Sequence, residues 1–430
     1  MQAINLKTIY NHLRNDKINI LCLNYLLIAY LLSLLFSYKL DNYFMGIIIL
    51  VFLFNENLKQ RLLFALSHKV VQACFLFFSV VVLWSIASDD ISLALYHIKS
   101  YRHFLYSIIF VAIIRKDFIN KLLYIFIISM MLQVIYFSLM HFNLLDSPFK
   151  VDPYFPFLFK FEHAFLVLIA LGFSLYKIIT LKKYSKIKLI LGVFFILETF
   201  NIFSSGSRTG ILLYSIILLI TLSYIFKKNL IKALTFTIFL AALALSFALL
   251  FTPMKEDLKR AEHSITQALS NQNYNSSSGL RIGLSIYAYD IFIENPLFGI
   301  GTSNHIETLR KTIHKVIEKN PEKNSQNQFK YMLDVLNTGK LATIHNTYLE
   351  LLMQFGIIGF IFLLNIFYQT LRSRNFSESS HYFFALLLSI IVLITMFPGL
   401  TFQHLNSPKF FILMISILTA KKYFTTQKLT

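Results

Sequence analysis

The sequence is short of charge. Only 14% of its 430 residues are Asp, Glu, Lys or Arg, while 56% are hydrophobic, and the mean hydropathy is +0.63. A soluble domain carries about 25% charged residues, so this chain has too few to cover a surface of its own, and soluble globular classes are excluded. Cysteine is equally scarce. Cys22 and Cys74 both lie in long apolar runs, where they read as small core hydrophobes, and they leave no disulfide framework or cysteine metal cluster to be built. Acids are few relative to bases, 21 Asp and Glu against 40 Lys and Arg. In a soluble chain that balance would suggest nucleic acid; in a membrane chain the question is which side of the bilayer the charges occupy, and no nucleic-acid partner is expected.

What the chain has in excess is apolar length, including 45 Phe and 23 Tyr. A spanning helix needs about 20 apolar residues at 1.5 Å rise each. By that measure twelve runs qualify: 18–38, 42–57, 69–88, 98–114, 118–143, 163–181, 187–205, 209–226, 230–252, 346–369, 381–399 and 408–420. The expected fold is therefore an all-α integral membrane protein of about twelve transmembrane helices. Charge orients it. The segments Lys7 to Lys17, Lys59 to Lys69, Arg115 to Lys121, Lys177 to Lys188, Lys227 to Lys232, Arg372 to Arg374 and Lys421 to Lys428 fall on one side, which holds these 22 basic residues against four acids, Asp16, Glu56, Asp117 and Glu378. By the positive-inside rule that side is cytoplasmic and holds both termini. The first run is long and no small-residue cleavage site follows it, so it reads as an uncleaved helix.

One connection is not short. Residues 253–345, between the ninth and tenth runs, form a polar extracytoplasmic segment, too long for a passive loop. Helical periodicity is visible over 255–270, 281–294 and 303–319, with a turn-like break at 271–278, so a helical cap is expected over the outer mouth of the bundle. The expected organisation is 1–252 as helices one to nine, 253–345 as the cap, and 346–430 as helices ten to twelve with a cytoplasmic tail. No internal repeat is present.

Candidate chemistry concentrates on the outer side. Ser204-Ser205-Gly206-Ser207-Arg208-Thr209-Gly210 is a polar break between two spans. An arginine near membrane depth is costly unless partnered. Arg208, with Ser207 at a helix start, suits an anion clamp, since guanidinium matches phosphate oxygens bidentately and free helix N–H groups favour negative charge. The bland alternative is a tight turn whose arginine reaches headgroups. Glu198, ten residues earlier, is a candidate partner for Arg208 or else a protonated packing residue. Gly279-Leu280-Arg281 precedes an amphipathic helix and then Asn295-Pro296-Leu297-Phe298-Gly299-Ile300-Gly301. The latter is no dinucleotide fingerprint, because no strand precedes it and the third glycine is missing. His345-Asn346-Thr347-Tyr348-Leu349-Glu350 opens the tenth run and leads into Gly356-Ile357-Ile358-Gly359. His345 has an unperturbed pKa near 6.5 and is able to accept a proton at ambient pH, although a packing role is the common fate of a lone interfacial histidine. Asp89-Asp90 is a weak candidate for metal, Asp152-Pro153-Tyr154-Phe155-Pro156-Phe157 is an aromatic outer loop, and Trp84 reads as an interfacial anchor.

Taken in order, Ser-Arg-Thr-Gly at a span start, Gly-Leu-Arg with Asn-Pro-Leu-Phe-Gly-Ile-Gly in one long outer loop, and His-Asn-Thr-Tyr-Leu-Glu running into Gly-Ile-Ile-Gly resemble the O-antigen ligase and O-antigen polymerase superfamily. The resemblance covers about 200–370. It implies an inverting glycosyltransferase of the bacterial inner membrane that uses no metal or other cofactor and works at the periplasmic face. The implied donor is an undecaprenyl-diphosphate-linked glycan and, in the ligase form, the implied acceptor is a hydroxyl of the lipid A core. Arg208 and Arg281 would stabilise the diphosphate and His345 would be the base. Ser207, Asn346, Tyr348 and Glu198 would contact the diphosphate or glycan. Three alternatives stay open at this point: a polymerase with a second lipid-linked glycan as acceptor, a protein-glycosylating relative, and, from a different class, a lipid-linked glycan flippase, whose site is expected nearer the midplane.

The charge asymmetry generates a direct test. Reporter fusions at Lys182 and Asn273 are expected to report opposite compartments, the cytoplasm for the first and the periplasm for the second; activity in the same compartment for both would overturn the orientation.

Overall fold

The computed structural model describes residues 13–37, 39–145, 158, 160–181, 186–204, 208–227, 229–251, 254–319, 325–337, 344–373, 375–397, 399 and 406–420. Among these residues the secondary structure is helical throughout. The helices are α1 (Asp16–Phe36), α2 (Leu40–Leu53), α3 (Leu58–Leu66), α4 (Lys69–Trp84), α5 (Ile91–Tyr101), α6 (His103–Ile113), α7 (Lys116–His141), α8 (Lys160–Thr180) and α9 (Lys186–Ser204). They continue with α10 (Arg208–Phe226), α11 (Leu230–Phe251), α12 (Met254–Asn271), α13 (Ser277–Glu294), α14 (His305–Lys319), α15 (Ser325–Asn337), α16 (Thr347–Arg372), α17 (Ser379–Thr395) and α18 (Asn406–Thr419). The aromatic segment 152–157 and Ser207 lie outside the described residues, as does the expected cap boundary at 253.

Among the described residues, seven helices are long and apolar enough to cross a membrane: α1, α4 with the short 3-10 turn that follows it, α7, α8, α9, α10 and α16. The apolar stretches of α2, α11, α17 and α18 are shorter. The chain is thus a helical membrane protein, as a solvent without hydrogen-bonding partners demands of a sequence with this composition.

The run expected to cross at 98–114 is corrected: it is two helices meeting at Arg102. The 11 residues of α6 span about 16 Å, half the thickness of a hydrocarbon core. Arg102 occupies the junction because its guanidinium has partners there, the Tyr106 hydroxyl at 2.8 Å, the Lys99 carbonyl at 3.0 Å and the Asn42 side chain at 2.6 Å. The far end of α6 stops inside the protein, where its carbonyls need donors. Asn24 Nδ2 supplies one to Ile113 at 2.8 Å and Arg61 supplies another to Ala112 at 2.9 Å. Arg61 is itself held by both oxygens of Asp16, at 2.6 and 2.7 Å.

The segment 254–337 holds four helices, α12 to α15, where periodicity alone indicated three. They share an apolar core of their own that includes Tyr274, Leu284, Ile291, Ile313, Phe329 and Met332, and Ile344 and Met353 join it from the edge of the bundle. Gly283 permits the closest packing there, since a Cβ at that position would lie 2.8 Å from the Tyr274 ring.

A tightly constrained contact joins the loop after α13 to the middle of α16. At Gly356 the helix is broken, with φ 64° and ψ −170°, a conformation essentially restricted to glycine. The break frees backbone groups, and residues 296–301 take them up. Ile300 and Gly301 donate to the carbonyls of Met353 and Gln354 at 2.9 and 3.0 Å, while Ile357 and Ile358 donate to the carbonyls of Pro296 and Leu297 at 2.9 and 3.3 Å. The other side of the loop is bound to the end of α4. Thr302 Oγ1 donates to Val81 at 2.8 Å, Thr302 N to Trp84 at 3.3 Å, and Asn304 Nδ2 to Ala87 at 3.0 Å. Trp84 Nε1 donates to the Phe298 carbonyl, a specific partner beyond the interfacial anchoring expected of it.

Gly356→Ala tests this interlock. The added Cβ would meet the Leu297 carbonyl oxygen at 2.2 Å, on top of a backbone strain of about 1–3 kcal/mol. A marked fall in thermal stability in detergent is expected, whereas Gly46→Ala, whose Cβ meets nothing within 4 Å, is expected to leave the melting temperature unchanged.

Candidate active site

The turn that carries His345 is built from three directions. Asn346 caps α16, its Oδ1 accepting from Leu349 N at 3.3 Å, which satisfies one of the free amides of the first turn. Thr347 N donates to the Met396 carbonyl at the end of α17 at 2.8 Å. Gly399 lies flat on the turn: a Cβ there would stand 3.1 Å from His345 Cα, and its own φ of +114° suits glycine. His345 itself has φ +56°, a left-handed conformation uncommon for a residue with a side chain. Its imidazole is half-buried.

Arg281 comes to this turn on α13. Ser276 caps that helix, accepting from Gly279 N at 2.9 Å. Gly279 is required because a Cβ there would sit 2.9 Å from Ser276 Oγ and 3.0 Å from Tyr274 Cα. The buried face of α13 is Gly279, Leu280, Gly283, Leu284, Tyr287, Ala288 and Ile291, so Arg281 and Ser285, one turn apart, share the opposite, open face. Ser285 Oγ faces Asn346 Nδ2 at 3.5 Å. Arg281 is near enough to His345 to act on its charge. Burial holds the imidazole pKa below its ordinary value, and the Arg281 guanidinium lowers it further.

The register of this contact is set elsewhere. Ser285 and Asn346 are 61 residues apart in sequence, the same offset that separates Pro296 from Ile357 and Leu297 from Ile358 in the interlock. The α13 strand of chain and the first half of α16 run parallel, clamped at Gly356, and the clamp brings Arg281 and Ser285 alongside His345 and Asn346.

The remaining expected residues fall as follows. Arg208 opens α10, but its side chain, like all of Ser207, lies outside the described residues. The next residues, Thr209 and Gly210, line a small, mostly apolar recess with Phe161, Ala164, Phe165, Leu168, Leu213 and Thr395. Thr395 is adjacent to Met396, which accepts from Thr347, so the start of α10 and the His345 turn flank the same end of α17. Glu198 is fully buried on α9, and no described residue hydrogen-bonds either of its oxygens. Tyr348 turns away from His345: its hydroxyl donates to the Leu393 carbonyl and its ring packs on Phe360. Asp90 caps α5, accepting from Leu93 N at 3.0 Å. Among the described residues no group of three or more His, Cys, Asp or Glu side chains is placed to hold a metal ion.

Two contributors escaped the sequence. Ser285 was signalled only by its i+4 spacing from Arg281. Glu350 stood in view in the His-Asn-Thr-Tyr-Leu-Glu run, but nothing in the run shows that its side chain folds back on Ile344.

Residues 191–364 match the family model described as O-antigen ligase. No curated protein matches the chain. The matched segment contains Glu198, Arg208, α13 with Arg281, the interlock and the His345 turn, so the side chains that meet at the cap edge and the family's own region coincide. Through residues 191–364 the chain is similar to the O-antigen ligase family.

Proposed function

We propose that this protein is an inverting membrane glycosyltransferase that moves a glycan from undecaprenyl diphosphate to a hydroxyl of the lipid A core at the periplasmic face. The observation that carries the reading is the meeting of Arg281 with a half-buried His345 whose pKa is lowered, within a segment that matches the O-antigen ligase family. The orientation read from the charge asymmetry, with both termini inside and the 253–345 cap outside, supports a site at the outer surface.

In this reading the acceptor hydroxyl gives its proton to His345 as its oxygen bonds to the anomeric carbon. The anomeric carbon–oxygen bond to the diphosphate breaks on the opposite face, so configuration inverts and undecaprenyl diphosphate leaves. Charge accumulates on the departing diphosphate, where Arg281 and Arg208 meet it; cations already in place where charge develops need no reorganisation during the reaction. Arginine thereby carries the load that a divalent cation carries in other glycosyltransferases. Asn346 and Ser285 face the acceptor side, Ser207, next to Arg208 in sequence, is assigned to the diphosphate, and Tyr348 supports the turn from behind. Glu198, without a described partner, is assigned to the Arg208 side of the site. A polymerase or a protein-glycosylating enzyme would retain the same arginines and histidine and differ in acceptor alone.

Lipopolysaccharide from a strain lacking this protein decides the acceptor. Loss of all long-chain O-antigen from the lipid A core with lipid-linked polymer retained is expected; core bearing a single repeat would assign a polymerase. In reconstituted protein, Arg281→Ala or Arg208→Ala is expected to abolish transfer, with Lys restoring it partly because it lacks the planar fork. His345→Ala is expected to lose about 10²–10⁴-fold, the scale of general-base catalysis. A His345→Gln variant within a few-fold of wild type would exclude the base role.

The pH profile follows from the electrostatics. The base works as neutral imidazole, and burial with Arg281 keeps it neutral below its ordinary pKa, which is near 6.5. Transfer should therefore hold through pH 6.5 and fall only at lower pH. Arg281→Gln removes one of the two lowering influences, so the imidazole pKa, followed by NMR of histidine-labelled protein, should rise. An unchanged pKa in that variant would separate the two residues.

A further inference from the structure

We propose that Glu350 is a positioning residue: from inside the first turns of α16 its carboxyl group holds the Ile344 amide and so fixes the left-handed turn that presents His345. The inference rests on the reading of His345 as the base, and it assigns a role to a side chain that touches neither donor nor acceptor.

The geometry is specific. Glu350 is 2% exposed and Ile344 is fully buried, and Ile344 N donates to Glu350 Oε2 at 3.3 Å. A buried acid in an otherwise apolar spanning helix is expensive and is kept where it has a task. This one sits one turn past the Asn346 cap, where the free N–H groups of a helix start favour a carboxyl. In an ordinary capping box an acid at the third helical position reaches back to the cap residue's own amide. Here the acid is at the fourth position and reaches two residues before the cap, because the left-handed His345 folds the chain back over the helix end.

Ile344 has no freedom to leave. Its side chain belongs to the apolar core of the cap, while its amide is tied to the bundle by Glu350. The residue between Ile344 and the Asn346 cap is His345. Two anchored neighbours and the flat face of Gly399 leave it one backbone conformation. Without the Glu350 acceptor, the Ile344 amide is buried and unpaired, and the turn relaxes toward the extended backbone that a histidine prefers. The imidazole then moves relative to Arg281 and the acceptor. A displacement of about 1 Å is enough to cost on the order of 10²-fold in rate.

The test uses the full-length protein reconstituted with lipid-linked donor and lipid A core acceptor. Glu350→Ala and Glu350→Gln are made in wild-type and His345→Ala backgrounds, with insertion checked by gel filtration in detergent. Glu350→Ala is expected to lower kcat by about 10–10²-fold with KM for both substrates within a few-fold. Glu350→Gln, whose amide oxygen accepts the same N–H, is expected to retain most of the activity and the wild-type pH profile. In the His345→Ala background Glu350→Ala should cost nothing more, since residues acting as one unit are not additive. A full additional loss in the double variant, or an alanine variant as active as wild type, overturns the proposal. A displaced acid limb in Glu350→Gln also overturns it, because Glu350 would then act through its proton; this arm stands even if the alanine variant does not fold. A His345→Ala variant with near wild-type activity would instead overturn the base reading itself, a result distinct from any of these.

Discussion

Backbone groups inside a membrane protein find no water, so every interruption of a helix must be met by another part of the protein. The interruption at Gly356 organises the rest. It frees two carbonyls and two amides, and residues 296–301 meet all four with four hydrogen bonds. The same loop is bound on its other side to the end of α4 through Thr302, Asn304 and Trp84. Smaller interruptions are met in the same way. Asn24 and Arg61 close the inner end of α6, and Glu162 accepts from the first amides of α18 at Asn406 and Ser407.

This constraint reaches the chemistry through register. The loop follows α13 directly, so pinning it to the kink of α16 pins α13 as well. With the two segments parallel and the same offset of 61 residues at Ser285–Asn346 as at Pro296–Ile357, the clamp decides which side chain of the cap meets which residue of the turn. Arg281 beside His345 is the outcome. The turn is then held by hydrogen bonds to Glu350, Asn346 and Met396 and by the close packing of Gly399 against His345. Rigid support on one side and a clamped cap on the other give a site in which a cation lowers the pKa of a neighbouring imidazole without pairing with it.

Much of the architecture was legible because membrane helices are written in composition. Eleven of the twelve apolar runs correspond to helices of apolar sequence, seven of them long enough to span by themselves. The twelfth, 98–114, misled because a hydropathy reading registers apolar residues on both sides of Arg102 and gives no sign that its guanidinium finds partners on α2 and α6 that stabilise a junction. The fourth cap helix, α15, carries its own apolar period at Phe329, Met332, Leu333 and Leu336, a short one of a single face, and Phe329, Met332 and Leu336 complete a core shared with α12, α13 and α14.

The sequence by itself determined that the chain lives in a membrane and is helical, and it exposed the residue types, Arg281, His345 and Asn346, that suit transfer from a diphosphate, because composition and local spacing are properties of the chain alone. Only the tertiary structure decided that Gly299-Ile300-Gly301 and Gly356-Ile357-Ile358-Gly359 are the two halves of one interlock, that Tyr348 turns away from the histidine beside it, and that Glu350 folds back to Ile344. These are relations between backbone groups far apart in sequence or between a side chain and a left-handed turn. Such a relation exists only when the freed amides and carbonyls of one segment find their partners on another, and no local pattern of residue types records which partners those are.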